Sequence, residues 1–366
     1  MLVFIGSYTE PILFGTGRIL QGKGEGVYAY RLDESSGALE SVGKTAGIAN
    51  PSYLAFDPAR RFVYAVNELK SYEGRPTGTV SAFAVDARNG ELRFLNRQPT
   101  HGTDPCHVTI DRHGAYAFVA NFMSGSVCVL PVSEDGSLEP ACDLVQHEGS
   151  GVDPRRQSGP HAHSVTLDAS GRFAFVPDLG LDKLMLYRFD PASGRLSANA
   201  PPWVELAPGA GPRHLALHPN GNFAYLVNEL DSTVVALSYD GSRGAFRRLQ
   251  TARTLPDSFA GESTCADIHV HPFAPFLYMS NRGHDSIAIH RIDTRDGTLS
   301  DVGHEATGGR TPRSFAIDPG GRFLVVANQD SDTVASFWID SRTGELRPTG
   351  NVATVPTPVC VKLFSR

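Results

Sequence analysis

The sequence predicts an all-β fold, a seven-bladed β-propeller with four antiparallel strands per blade. Three observations predict it: a repeat, its strand-like composition, and its division between the two chain ends. In six copies of one template, an apolar run ends in Asp or His, a turn follows, and a second apolar run ends at or near Asn. The copies recur about every 52 residues, so seven units account for the chain. The six intact copies begin at Pro51, Pro105, Ala162, Pro212, Cys265 and Pro312.

Each unit is predicted to contain four short strands. The template supplies the first two, a third run such as Thr233 to Asp240 follows, and a fourth, less regular run completes the unit. The runs are rich in Val, Phe, Tyr and Ala and are bounded by Gly, Pro, Asp and Asn, without a convincing helical stripe. Four strands in roughly 50 residues are typical of a propeller blade.

The seventh copy is divided between the chain ends. Its first run, PVCVKLF, begins at Pro358, and its second, LVFIGSY, begins at Leu2. Pairing of these two strands would complete one blade and close the ring without a free sheet edge. Residues 1–366 are therefore predicted to form a single propeller domain.

Charge and cysteine content narrow the classes of function. The net charge is −6 with both signs interspersed, which argues against a nucleic-acid footprint. The five cysteines are odd in number and lack CxxC spacing, as expected for reduced thiols. The N-terminus MLVFIGSYTE has neither a basic leader nor a membrane-spanning run. We expect a cytoplasmic protein without membrane partners, a monomer or weak homodimer.

Comparison of equivalent positions identifies a candidate site. The start of each first strand and the end of each second strand should meet at one mouth of the central channel. In these two registers, blades four to six supply His163, Arg213, Glu229 and Arg282, which we predict to be catalytic. Further polar side chains in or beside the registers are predicted to bind substrate: Glu68, Arg313, His161 and Gln329.

These residue types indicate water or proton transfer at a carbonyl beside an anionic group. Arginine binds anions bidentately and stabilises a developing oxyanion, whereas a carboxylate or imidazole serves as general acid or base. No GxSxG elbow is present, and no cysteine is obviously paired with a base. The alternative is a purely structural salt bridge between Arg213 and Glu229.

Other features are interpreted as structural. His107 and His214 share the neighbouring register and are expected to pack inside their blades. The pairs HAH and HVH have strand spacing, but no third ligand is evident, so a metal site is not predicted. Segments 9–26, 69–78 and 147–160 are expected to lie over the channel mouth as a lid. Their charged residues, Arg156 among them, are interpreted as solvated.

Three segments carry a family resemblance: GPHAHSVTLDASGRFAFVPDLG, GPRHLALHPNGNFAYLVNELDSTV and SNRGHDSIAI. They resemble the seven-bladed lactonase family, which includes bacterial propeller-type 6-phosphogluconolactonases and fungal carboxymuconate cycloisomerases. The resemblance implies no metal and no organic cofactor. It also implies an active histidine, two arginines and a glutamate, which fall on His163, Arg213, Arg282 and Glu229.

Within this family we favour hydrolysis of an anionic, sugar-type lactone, because no sequence feature calls for a dicarboxylate diene. Arg213 and Arg282 would hold the anionic substituent and the lactone carbonyl. Either Glu229 or His163 would activate water, and the other would protonate the departing ring oxygen. Three alternatives stay open: a carboxymuconate-type cycloisomerase, a non-catalytic interaction platform, and a metal-dependent lactonase of another propeller type.

Overall fold

The computed structural model describes residues 1–365 and confirms the seven-bladed propeller, with four antiparallel strands in every blade. Strands are numbered along the chain, and each blade is given from the channel outward. Blade 1 contains β30 (Pro358–Phe364), β1 (Leu2–Ser7), β4 (Gly26–Leu32) and β5 (Leu39–Ala46). Blade 2 contains β6 (Leu54–Phe56), β7 (Phe62–Asn67), β8 (Thr79–Val85) and β9 (Leu92–Pro99). Blade 3 contains β10 (Pro105–Ile110), β11 (Tyr116–Asn121), β12 (Ser126–Pro131) and β13 (Asp143–Gln146).

The remaining four-stranded sheets follow the same order. Blade 4 contains β14 (Thr166–Leu167), β15 (Phe173–Asp178), β16 (Lys183–Asp190) and β17 (Arg195–Glu205). Blade 5 contains β18 (Pro212–Leu217), β19 (Phe223–Asn228), β20 (Thr233–Asp240) and β21 (Ala245–Arg253). Blade 6 contains β22 (Thr264–Val270), β23 (Phe276–Arg282), β24 (Ser286–Ile292) and β25 (Leu299–Ala306). Blade 7 contains β26 (Pro312–Ile317), β27 (Phe323–Asn328), β28 (Thr333–Ile339) and β29 (Leu346–Thr354).

Two short elements stand apart from the blades. Strands β2 (Ile12–Leu13) and β3 (Ile19–Leu20) form a hairpin between β1 and β4. A 3₁₀ turn covers Gln329–Ser331 after β27. Within residues 1–365, no helix has the length and apolar character needed to cross a bilayer.

The ring closes as predicted, through antiparallel pairing of β1 with β30. The register runs from Leu2 opposite Phe364 to Ser7 opposite Pro358. Phe4 and Phe364 of this blade pack edge-to-face with Phe56 of blade 2, with ring centroids 5.1–5.8 Å apart. The chain ends are therefore joined by a sheet ladder and sealed by aromatic packing against the next blade.

The recurrent turn anchors are structural. In Asp57, Oδ1 accepts hydrogen bonds from the backbone N–H groups of Arg61 and Phe62 at 2.7 and 2.6 Å. Asp318 accepts the equivalent bonds from the residues four and five positions later. Each carboxylate thus closes the turn between the first and second strands of its blade.

The Asn that ends the second strand of a blade binds, through its side chain, the backbone segment that precedes the first strand. In blades 3 and 6, the Asn121 and Asn281 side chains donate to the carbonyls of Thr100 and Thr254, at 3.2 and 2.7 Å. Because these asparagines are fully buried, the residue that follows each one has a fixed position at the channel mouth. Local structure thereby determines where the candidate site residues emerge.

The prediction that His107 and His214 pack inside their blades is wrong. Their rings lie 5.6 Å apart, and Tyr53 of blade 2 contacts both, at 4.2 and 6.0 Å. Blades 2 and 5 are not neighbours in the ring, so these rings meet across the central channel. The innermost strand has no further strand inside it, and its side chains can therefore fill the axis.

Candidate active site at the channel mouth

Irregular backbone at the start of the innermost strands aims the site residues into the mouth. In β18 the register shifts between Pro212 and His214, which places Arg213 on an irregularity of the β-bulge type. The same shift occurs at Cys106 in β10 and at Arg313 in β26. Bulges re-aim the side chain of the extra residue and are common beside active sites.

A cavity of about 490 Å³ opens at this mouth. The β2–β3 hairpin contributes Phe14 and Arg18 to its wall, and Arg156 enters from the segment 147–160. The predicted placement of these two insertions over the mouth is confirmed. The cavity also exposes polar residues from five blades: Glu68, His163, Glu229, Arg282, Arg313 and Gln329.

Glu229 is the centre of a buried ionic cluster. Its Oε1 lies 2.5 Å from Nη2 of Arg156, and its Oε2 lies 3.1 Å from Nε of Arg213 and 2.8 Å from Nη2 of Arg282. Nε2 of His163 is 4.0 Å from the same Oε2. The side chains are only 3–15% exposed, so solvent screens the cluster weakly. The structure thus brings together the four residues that the repeat comparison selected.

The cluster determines the charge state of its members. Burial by itself would raise the pKa of Glu229, but the three guanidinium groups hold that pKa well below its usual value. Burial lowers the pKa of His163 well below its usual value, and Arg213 adds to this. Burial also lowers the pKa of Arg213 to about 10. At neutral pH the site therefore holds an ionised glutamate, a neutral imidazole and charged arginines.

Arg213 is supported from the channel side. Its Nη1 donates to the carbonyl of Ala266 and lies 3.2 Å from Nε2 of His214. Arginine has no acceptor atom, so Nε2 of His214 accepts this bond and Nδ1 carries the imidazole proton. Nδ1 then donates to Oδ1 of Asp267 at 3.0 Å. Asp267 and His214 thereby orient the arginine through the tautomer of the imidazole.

A second polar group lies on the same cavity, between blades 1, 2 and 7. Oη of Tyr8 donates to Oε2 of Glu68 at 3.0 Å. The guanidinium of Arg313 lies 5.6 Å from the ring centre of Tyr8 and 5.4 Å from that of Phe14. Among residues 1–365, neither Glu68 nor Arg313 has an ion-pair partner within 4.0 Å. Burial raises the pKa of Glu68.

The other predicted substrate-binding residues differ in placement. Gln329 lines the cavity, with its Nε2 bonded to Asp330 at 2.8 Å. His161 does not line it: its ring stacks on Phe122 at 4.7 Å, and Phe122 forms the wall. His161 therefore acts on the cavity only through Phe122.

Two site residues were missed or misread in the sequence. Sγ of Cys106 lies 3.6 Å from Nδ1 of His163 on the cavity wall, so a cysteine does stand beside a base. Its register position, equivalent to that of Arg213, was the available signal. Burial raises the pKa of this thiol, which opposes thiolate formation. Arg156, interpreted as solvated, is instead buried against Glu229, and only its place in an insertion could have indicated this.

Over the described range 1–365, no group of three or more His, Cys, Asp and Glu side chains is arranged to hold a metal ion. The pair His161 and His163 is occupied by other contacts, with Nδ1 of His161 2.9 Å from the carbonyl of Phe122.

Comparison with known proteins shows the same fold throughout the chain. Residues 2–363 match the family described as "Lactonase, 7-bladed beta-propeller". The chain is 36% identical over 363 residues to a 6-phosphogluconolactonase of Bacillus subtilis, covering 99% of this chain and 98% of the relative. It is 32% identical over 320 residues to a 6-phosphogluconolactonase of Formosa agariphila, covering 86% of each chain. A periplasmic gluconolactonase structure from Pseudomonas aeruginosa superposes with a TM-score of 0.90 at 35% identity, covering 99% of both chains.

Proposed function

The chain belongs to the seven-bladed β-propeller lactonase family, and on that premise we propose that it hydrolyses the lactone of a phosphorylated sugar acid, such as 6-phosphogluconolactone. The observation that carries this proposal is the arrangement of arginines on the cavity. Arg156 and Arg282 are paired with Glu229 and Arg18 with Asp330, whereas Arg313 has no hydrogen-bonded partner among residues 1–365. An accessible guanidinium held by two aromatic rings suits a phosphate group.

The pKa values of both candidate bases are lowered, and His163 is assigned the role of activating water because its Nε2 is 4.0 Å from Glu229, whereas Glu229 is held by three closer guanidinium groups. Glu229 is ionised but is a weak base, because three guanidinium groups stabilise its charge. The neutral imidazole of His163 can accept a proton at Nε2, and the resulting imidazolium would face the Glu229 carboxylate 4.0 Å away. The water oxygen then bonds to the lactone carbonyl carbon, and the carbonyl oxygen becomes an oxyanion.

We propose that Arg282, which lines the cavity, and Arg213, which is buried beside it, stabilise that oxyanion. Nη2 of Arg213 and Nη1 of Arg282 have no protein acceptor among residues 1–365. Arg213 is held by Glu229 and by the carbonyl of Ala266, and Nη2 of Arg282 is held by Glu229 and by the carbonyl of Cys265. Nε of Arg282 is buried and has no acceptor among residues 1–365. Donors held in place before the reaction stabilise developing charge without a cost of reorganisation.

The test compares phosphorylated and unphosphorylated substrates in Arg313→Gln. We expect kcat/KM for 6-phosphogluconolactone to fall about 100-fold, because a charge-assisted fork contributes about 3 kcal/mol. The kcat/KM for gluconolactone should stay within about 3-fold of wild type, because this substrate has no phosphate group for Arg313 to bind. Arg18→Gln is the matched control, because Arg18 lines the same cavity but is exposed and paired with Asp330.

Spontaneous hydrolysis must be subtracted in both assays. An equal loss on both substrates in Arg313→Gln would contradict the phosphate assignment. Lack of turnover of every lactone by folded wild-type protein, or turnover of carboxymuconate instead, would contradict lactone hydrolysis itself.

We also propose that the enzyme acts in the cytoplasm as a monomer or weak homodimer. All five cysteines are free thiols, which suits a reducing compartment. The Pseudomonas aeruginosa relative is named as periplasmic, so the compartment differs between the two proteins under this proposal. Cell fractionation tests the location, and sedimentation tests the oligomeric state.

A further inference from the structure

We propose that Glu68 is the general acid that protonates the departing ring oxygen of the lactone, a role that rests on the hydrolysis proposed above. The family resemblance pointed to one carboxylate, Glu229, at the opposite side of the mouth. Glu68 lines the same cavity and is 7% exposed, yet no cation lies within ion-pair distance of it in the described residues. The cavity therefore holds two buried carboxyl groups in different electrostatic surroundings: three guanidinium groups contact Glu229, whereas Arg313 acts on Glu68 from beyond ion-pair distance.

This contrast assigns opposite roles to the two carboxyl groups. Glu229 is surrounded by three guanidinium groups at 2.5–3.1 Å, which favour its ionised form. Glu68 is bonded to the neutral hydroxyl of Tyr8, and burial favours its protonated form. When the surroundings of two carboxyl groups push their proton affinities apart, the group with the higher affinity is suited to act as the acid.

The hydrogen bonds of Glu68 leave its proton available. Oη of Tyr8 donates to Oε2, so Oε2 already has a donor. Ser52 is a second hydroxyl group beside Glu68, and Oε1, which does not accept the Tyr8 bond, can hold the acidic proton toward the cavity. Tyr8 itself keeps its proton, because burial raises its pKa well above the usual value. Tyr8 therefore positions Glu68 without competing for the same proton transfer.

The chemistry of the substrate places the leaving oxygen near this group. In the δ-lactone of a 6-phosphorylated sugar acid, the ring oxygen is bonded to the carbon that carries the phosphorylated CH₂ group. A phosphate bound at Arg313 thus brings the ring oxygen to the same end of the cavity. Tyr8 contacts both Arg313 and Glu68, at 5.6 Å from ring centre to guanidinium and 3.0 Å from Oη to Oε2. The phosphate and the proton donor are then neighbours.

The bond between the carbonyl carbon and the ring oxygen breaks as the oxyanion collapses. The electron pair of that bond goes to the ring oxygen, which takes the proton from Glu68 and becomes a hydroxyl group. His163 holds the proton that came from water. Release of that proton to solvent, and uptake of one proton by Glu68, restores the starting enzyme.

A leaving-group experiment with Glu68→Gln tests the assignment. Loss of a general acid should slow release of an alkoxide but not of a phenolate, because a phenol has a pKa near 10. For gluconolactone we expect kcat to fall about 100-fold, the lower range for general acid–base catalysis. For dihydrocoumarin, an aryl lactone, we expect a fall of less than about 5-fold. Glu262→Gln is the matched control, since Glu262 is an exposed carboxylate on the same cavity wall.

The pH dependence of kcat distinguishes a general acid from a residue that only supports the structure. Wild-type kcat for gluconolactone should decline as pH rises through the pKa of Glu68, and Glu68→Gln should lack this decline. The titratable or charged groups around Glu68 are Tyr8, Arg313, Cys106 and the ion pair of Asp104 with Lys70. Tyr8→Phe should move the alkaline decline without abolishing it, because the carboxyl group remains.

Two outcomes would overturn the assignment. The first is an equal loss of kcat for gluconolactone and dihydrocoumarin in Glu68→Gln. The second is an infrared difference spectrum, wild type minus Glu68→Gln, that shows no protonated carboxyl band at any pH above the ordinary pKa of glutamate. The infrared measurement needs no substrate, so it separates failure of this assignment from failure of the proposed function, which is shown by a folded wild-type protein that turns over no lactone.

Discussion

Glu229→Gln removes the carboxylate that directly pairs with the three buried guanidinium groups of the site. The Glu229 side chain is 6% exposed, and its partners Arg156, Arg213 and Arg282 are 15%, 3% and 14% exposed. Removal of one partner from a buried ion pair costs about 3–5 kcal/mol, because the remaining charge is uncompensated. Glutamine keeps the shape and one acceptor oxygen, so we expect the lower end, about 3 kcal/mol.

This magnitude converts to a measurable change in melting temperature. An unfolding entropy of about 2.1 cal/mol/K per residue over 366 residues gives roughly 0.8 kcal/mol/K. A loss of 3 kcal/mol should therefore lower Tm by about 4 °C, as followed by calorimetry. Inorganic phosphate should narrow the difference, because an anion can replace the lost carboxylate among the arginines. We expect kcat to fall about 100-fold, since the arginines lose their alignment.

The pH dependence of the stability difference has a defined sign. The folded-state pKa of Glu229 is depressed, so its stabilisation is present above its unfolded pKa and is lost as pH falls through the folded value. The Tm difference between wild type and Glu229→Gln should be constant near neutral pH and should shrink in acid below the ordinary glutamate range. An unchanged Tm and kcat in Glu229→Gln, with Glu262→Gln as control, would refute the cluster as the centre of the site.

Two further predictions concern the neighbours of this cluster. His214→Leu removes the acceptor of Arg213 and should lower kcat about tenfold, whereas His214→Gln should recover most of it. Because burial lowers the pKa of His214 to about 4, wild-type activity should fall as pH drops through that value, and His214→Gln should lose this contribution. Cys106→Ala should keep kcat within about 3-fold, because its raised pKa opposes nucleophilic attack. Inactivation of Cys106→Ala with an intact fold would instead indicate a covalent mechanism.

The repeat predicted the fold and the four central residues because the sequence of each blade specifies its own strands and turns. Alternating apolar runs and Asp or Asn turn residues specify strands and their registers one blade at a time. Positions that break this pattern, such as Arg213 and Glu229, can be identified from the sequence without knowledge of any distance. The structure brings them into contact, although their catalytic roles remain a prediction.

The misread residues depend on contacts between blades or on insertions. Arg156 has no equivalent in other copies, so comparison of the chain with itself could not place it against Glu229. Cys106 meets His163 only because blades 3 and 4 are neighbours in the closed ring. His107 and His214 were predicted to pack inside their blades because the alternation of side chains along a strand does not show which strand is innermost. The innermost strands border the central channel, where these two rings meet.

The sequence by itself determined the number of blades, the closing pair of strands and the register positions at the channel mouth. Only the tertiary structure decided how the proton affinities of the two carboxyl groups there differ. The reason is that proton affinity depends on burial and on the distances to charges from other blades. Glu68 and Glu229 occupy equivalent positions after a strand-ending Asn, yet three arginines surround Glu229 whereas a tyrosine hydroxyl contacts Glu68.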